Sequence, residues 1–123
     1  MARLEHVNLT VSDPDATAAM CAELFGWRVR WSGPAKGGGY TVHVGGEGDY
    51  VAVYRPAGAT EEAPESYGIV GGLNHVGVVV DDLDGTEAKV RAAGLTPHSH
   101  ADYEPGRRFY FDDEDGIEFE VVS

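Results

Sequence analysis

Residues 4–17, LEHVNLTVSDPDAT, and residues 73–86, LNHVGVVVDDLDGT, decide the fold, because they are two copies of one segment. A constant offset of 69 pairs Leu4 with Leu73, His6 with His75, Val7 with Val76, Val11 with Val80, Asp13 with Asp82, Asp15 with Asp84 and Thr17 with Thr86. One residue is lost in the segment that follows, and an offset of 68 then pairs Gly26 with Gly94 and Gly48 with Gly116. The chain is a duplicated half.

Each half reads as β-α-β-β-β. VNLTV and VGVVV are β-branched runs of strand type. Asp13-Pro14 and Asp82-Leu83 follow as helix starts, with the aspartate as N-cap, and Gly26 and Gly94 stand where a helix ends in a left-handed residue. Three short strands come next: WRVRW, YTVHV and DYVAVY in the first half, then a stretch near 96–100, RRFYF and IEFEVV in the second. The organisation is one module at 1–56, a Pro-, Gly- and Glu-rich linker at 57–72, and a second module at 73–123.

Alternation along a strand sorts the side chains into two faces. Val7, Leu9, Val11, Val51, Val53, Val76, Val78, Val80, Phe109, Phe111, Ile117, Phe119 and Val121 form the set expected to pack under the helices. The opposite set gathers His6, Asn8, Tyr50, Tyr54, His75, Arg108, Tyr110, Glu118 and Glu120, the composition of a site rather than of a core. Trp27, Val29 and Trp31 alternate along one strand and read as core or dimer contact, His43 as structural, and His98 with His100 as sharing one face of a short strand.

Composition bounds the function. The chain has 123 residues, with 9 Lys and Arg against 21 Asp and Glu, a net charge of −12. That balance argues against nucleic-acid backbones and anionic membranes as partners. No stretch has the length of an apolar membrane span or a signal peptide, and the single cysteine, Cys21, suits a reducing compartment, so a cytoplasmic protein is expected.

The paired β-α-β-β-β unit with a histidine on each first strand resembles the vicinal oxygen chelate superfamily of glyoxalase I, extradiol dioxygenases, fosfomycin-resistance enzymes and bleomycin-resistance proteins. FDDEDGIEFEVV is similar to that superfamily's recurrent close, with Glu114 replacing the usual proline. The resemblance implies an α+β fold, two modules forming a cupped mixed sheet with helices on its outer face. It implies His6, His75 and Glu120 as ligands of one divalent ion: Fe(II), Mn(II), Ni(II), Co(II) or Zn(II). The fourth ligand place falls on Ala52 or Val53, neither of which can bind a metal, so open positions are left for water and substrate.

The function so implied is a metal-dependent enzyme of lyase, isomerase or dioxygenase type, acting on a small molecule that chelates the ion through adjacent oxygens. Glu120 and Tyr110 are its expected catalytic groups, Tyr110 as hydrogen-bond donor to a developing oxyanion. Arg108, Tyr50, Tyr54 and Asn8 are the expected substrate contacts. The alternative is a bleomycin-resistance-like protein that sequesters its ligand without turnover. A homodimer is expected, since a small sheet of short strands leaves edges to cover.

Overall fold

The computed structural model describes residues 1–104 and 106–123. It divides into two compact units, Met1–Glu61 and Glu62–Ser123, each with one α-helix and one four-stranded mixed sheet, the first also having a short 3-10 turn at Lys36–Gly38.

In the first unit β1 (His6–Thr10) leads into α1 (Pro14–Phe25), followed by β2 (Arg28–Pro34), β3 (Tyr40–Gly45) and β4 (Tyr50–Arg55). The sheet order is β1-β4-β3-β2, with β1 parallel to β4 and the other pairs antiparallel. Asp13 caps α1, accepting the Ala16 amide at 3.3 Å, and Gly26 closes it in the left-handed conformation at φ 69°. Pro14, Thr17, Ala18, Cys21 and Leu24 are the buried stripe of α1, at the three- and four-residue spacing of one helix face. That stripe packs on the sheet over Val42, Val44, Val51 and Val53, all buried.

The second unit repeats the plan: β5 (Val76–Val79), α2 (Leu83–Ala92), β6 (His98–Tyr103), β7 (Gly106–Asp112) and β8 (Glu118–Val122), in sheet order β5-β8-β7-β6. Asp82 caps α2 through the Gly85 amide at 2.9 Å, the counterpart of the Asp13 cap on Ala16 in α1. Val90, Phe109, Phe111, Phe119 and Val121 are buried, with the rings of Phe111 and Phe119 stacked at 5.1 Å. The repeat holds at the level of register. Asn8 pairs with Ala52 in the first unit, and Gly77 with Glu120 in the second.

Both outer strands depart from simple alternation. In β2 the register shifts between Val29 and Trp31: Val29 stays opposite Val44, Trp31 moves opposite His43, and Arg30 is the extra residue. The expected single row of Trp27, Val29 and Trp31 is therefore broken, and Trp31 joins the polar face. In β6 the shift lies between His98 and Ala101, where Ser99 takes a φ of +55°. His98 stacks on Tyr110 at 6.2 Å, whereas His100 lies over Phe109 and meets Glu87 of α2 at 3.0 Å. The two histidines occupy opposite faces, contrary to the strict alternation expected of them.

Candidate metal and substrate site

Glu120 lies in the middle of β8 with Gly77 on one side and Tyr110 on the other. Its side chain is only 10% exposed, and its two oxygens have different partners. Oε1 accepts a short charged hydrogen bond from Nη1 of Arg108, which is 8% exposed. Oε2 faces His75 Nε2 at 2.9 Å. The remaining Arg108 donors reach the Gly106 carbonyl at 3.2 Å, and the guanidinium lies 4.8 Å over the Tyr103 ring. Arg108, the expected clamp for a substrate anion, thus holds Glu120 in place.

The other nitrogen of His75 is occupied as well. Residues 66–72 make two consecutive turns, closed by Ile69 N to Ser66 O at 3.1 Å and Gly72 N to Ile69 O at 2.9 Å. They present the Tyr67 hydroxyl 3.3 Å from His75 Nδ1. The same hydroxyl donates to Glu118 Oε1 at 2.5 Å, and this bond is the first cause pushing the phenol up to about 12. Glu118 itself is 3.6 Å from Nδ1, too far for a direct hydrogen bond. Since the only Tyr67 proton goes to Glu118, the phenol oxygen is an acceptor toward His75, and Nδ1 carries the hydrogen. Tyr110 stands edge-on to His75 at 5.8 Å; burial, then the Glu120 charge, raises its phenol, which stays a neutral donor.

A divalent ion suits this arrangement. An imidazole nitrogen and a carboxylate oxygen at 2.9 Å need a shared proton or a cation that both face. Adjacent donors around a six-coordinate ion with bonds of about 2.1 Å are separated by about 3.0 Å. His75 and Glu120 are the part of the expected ligand set that this unit contains by itself. Among the described residues no group of three or more His, Cys, Asp or Glu side chains is gathered as a metal cluster.

In the first unit the corresponding face is aromatic. His6 stacks on Tyr50 at 4.9 Å, His43 stacks on Tyr50 at 4.5 Å, and Trp31 meets His43 at 5.1 Å. The β2 bulge sets the Arg30 guanidinium 5.0 Å over the Tyr50 ring. His6 Nδ1 is 2.9 Å from Glu5 Oε1, and the Tyr50 hydroxyl donates to the same oxygen at 3.2 Å. These two hydrogen bonds, His6 first, hold the Glu5 carboxyl below its ordinary range. Burial, then the neighbouring His6 and Arg30, pushes His43 down. Asn8 and Tyr54 share this face by register, opposite Ala52 and Thr10, and Ala52 is buried. A cavity of about 380 Å³ opens beside it, lined by Arg3, Leu4, Glu5, Arg30, Glu47 and Gly48.

Several of these groups escape a reading of the sequence. Tyr67 lies in the presumptive linker, and only the two turns of 66–72 bring it to His75. Arg30 and Trp31 reach the face through a bulge that alternation does not foresee. Glu5 and Glu118 carried a signal, since Glu5 is adjacent to His6 and Glu118 is two residues before Glu120 on the same strand face.

The chain matches the Glyoxalase family, the Glyoxalase/Bleomycin resistance protein/Dioxygenase superfamily, over residues 3–121. No curated protein is similar enough in sequence to match. Among solved structures it is similar to a glyoxylase/bleomycin resistance protein/dioxygenase domain from Frankia sp. EAN1pec, at 24% identity and a TM-score of 0.81 over 99% of this chain and 97% of that one. It is similar to the Leishmania major trypanothione-dependent glyoxalase I, at 19% identity and a TM-score of 0.81, covering 100% of this chain and 87% of that one. It also resembles a mutant of the fosfomycin resistance protein FosX from Listeria monocytogenes, solved with Mn(II) and 1S,2S-dihydroxypropylphosphonic acid, at 20% identity and a TM-score of 0.77 over 99% and 92% of the two chains. These likenesses carry the fold, and with the match across nearly the whole chain they place this protein in the glyoxalase/bleomycin resistance protein/dioxygenase superfamily.

Proposed function

We propose that this protein is a metal-dependent enzyme acting on a small molecule that chelates a divalent ion through adjacent oxygens. The observation that carries the reading is the pairing of the half-buried His75 Nε2 with the buried Glu120 Oε2, 2.9 Å apart, with Glu120 fixed from behind by Arg108. His6 is the third ligand of the proposed set, as the family resemblance implies. Fe(II), Mn(II), Ni(II), Co(II) and Zn(II) all suit two imidazoles and a carboxylate. When bound, the ion supplies Lewis acidity to the substrate oxygens.

The chain's own groups do the rest. Tyr110 keeps its proton and donates a hydrogen bond to oxygen charge developing on the substrate. Tyr50, Tyr54 and Asn8 form the proposed substrate wall. That FosX was solved with Mn(II) and a dihydroxy phosphonate supports a substrate with vicinal oxygens and an acidic group. A second reading, sequestration without turnover, draws support from the shelf of His6, Tyr50, His43 and Trp31, which offers stacking surface for a planar ligand.

Elemental analysis and Mn(II) titration of wild type, His6→Ala, His75→Ala and Glu120→Ala test the assignment. About one ion per chain in wild type, lost in each variant, is the expected result. A wild type that takes up none of the five ions overturns it.

A further inference from the structure

The two repeat-related histidines are held by the same chemistry drawn from different places in the chain. At His6, Nδ1 meets the Glu5 carboxylate at 2.9 Å, and that carboxylate oxygen also accepts the Tyr50 hydroxyl at 3.2 Å. At His75, Nδ1 meets the Tyr67 hydroxyl at 3.3 Å, and that hydroxyl donates to Glu118 at 2.5 Å. Each Nδ1 is thus tied to one glutamate and one tyrosine. The first unit takes its glutamate from the residue before the histidine and its tyrosine from β4. The second takes its glutamate from β8 and its tyrosine from the turns at 66–72. Such recurrence without positional correspondence is hard to attribute to the duplication alone.

We propose that Glu118 with Tyr67, and Glu5 with Tyr50, are positioning pairs that keep the proton of each histidine on Nδ1 and leave Nε2 to bind a metal ion. The proposal rests on the reading of His6 and His75 as ligands. A hydrogen bond to the non-ligating nitrogen fixes tautomer and ring orientation and raises the basicity of the other nitrogen. The turn carrying Tyr67 is tightly specified: a Cβ on Gly72 would stand 2.6 Å from the Ser66 carbonyl oxygen.

The test uses the full chain as wild type, Tyr67→Phe, Glu118→Gln and Glu5→Gln. Ring ¹⁵N NMR of the metal-free protein reads which nitrogen of each histidine is protonated, and titration with Mn(II) and Co(II) reads affinity. In wild type, Nδ1 of His6 and of His75 carries a proton. Tyr67→Phe and Glu118→Gln deprive His75 Nδ1 of its proton, leaving the one that Nε2 shares with Glu120 Oε2 in the metal-free protein, and do not affect His6; Glu5→Gln moves the His6 proton toward Nε2 and does not affect His75. Each variant weakens metal binding by roughly 10- to 100-fold. Unchanged spectra in all three variants overturn the proposal, as does unchanged affinity in a wild type that binds metal. A wild type that binds no metal, yet shows the residue-specific tautomer changes, defeats the metal reading while sustaining the proton-holding role.

Discussion

Replacing Arg108 by Met removes a guanidinium from a place where its partner cannot turn to water. Both side chains of the Arg108–Glu120 pair are about nine-tenths buried, at 8% and 10% exposure. Methionine keeps much of the stem's packing, so the loss isolates the charge and its hydrogen bonds. Breaking a buried pair from one side costs about 3–5 kcal/mol, because the remaining ion is left uncompensated. His75 stays 2.9 Å from the other carboxylate oxygen, which favours the lower end, about 3 kcal/mol. At roughly 3–6 °C per kcal/mol for a chain of this size, Tm should fall by roughly 9–18 °C. Urea unfolding followed by circular dichroism gives the free energy directly, with an unchanged slope showing that the unfolded state is unaltered. The double variant Arg108→Met/Glu120→Leu, with both charges gone, should recover to within about 1 kcal/mol of wild type. A loss below about 1 kcal/mol in the single variant would be the energetics of an exposed pair, and would refute the view that Glu120 is held in a dry setting.

Three further outcomes follow from local geometry. Ser99→Gly gives up the Oγ contact to His98 Nδ1 at 2.9 Å but suits φ +55°, so its stability should stay within about 0.5 kcal/mol of wild type, whereas Ser99→Val should cost about 1–2 kcal/mol, read by thermal unfolding. The Tyr67 phenol should ionise near 12, above the ordinary 10.0, so its contribution to stability is whole below pH 10 and disappears as pH rises through 12; phenolate absorbance of wild type against Tyr67→Phe shows the missing step. His43, depressed below 6.5, should stabilise the fold fully above that pH and lose its contribution as pH falls through its folded value, which proton NMR of the imidazole measures against His43→Gln.

The inner strands were legible from the residues, because burial on one face enforces strict alternation there. Val7 and Val51, or Val76 and Phe119, pair as the repeat requires, and Asp13 and Asp82 cap where short polar side chains before a helical stripe should. The outer strands were not legible. Each carries one extra residue that alternation does not mark, so Trp31 changed face and His98 parted from His100. At the site, the residues with a repeat or a strand face to mark them could be found beforehand. Tyr67 could not, since nothing in PESYGIVGG distinguishes a tyrosine that folds back on His75 from one left in solvent. Nor does sequence show that Arg108 turns toward Glu120, because parity gives a shared face without giving a partner.

The bulges have a consequence for how such a protein changes over generations. An extra residue in β2 or β6 redirects side chains on an outer strand, while pairings such as Asn8 with Ala52 and Gly77 with Glu120 stay fixed on the inner ones. Single-residue insertions and deletions, usually ruinous inside a sheet, become a tolerated source of variation at these two places. Side chains such as Arg30 and Trp31 can therefore change on the outer strand without disturbing the strands that carry His6, His75 and Glu120. The scaffold separates what is inherited from what is free to drift, one residue at a time.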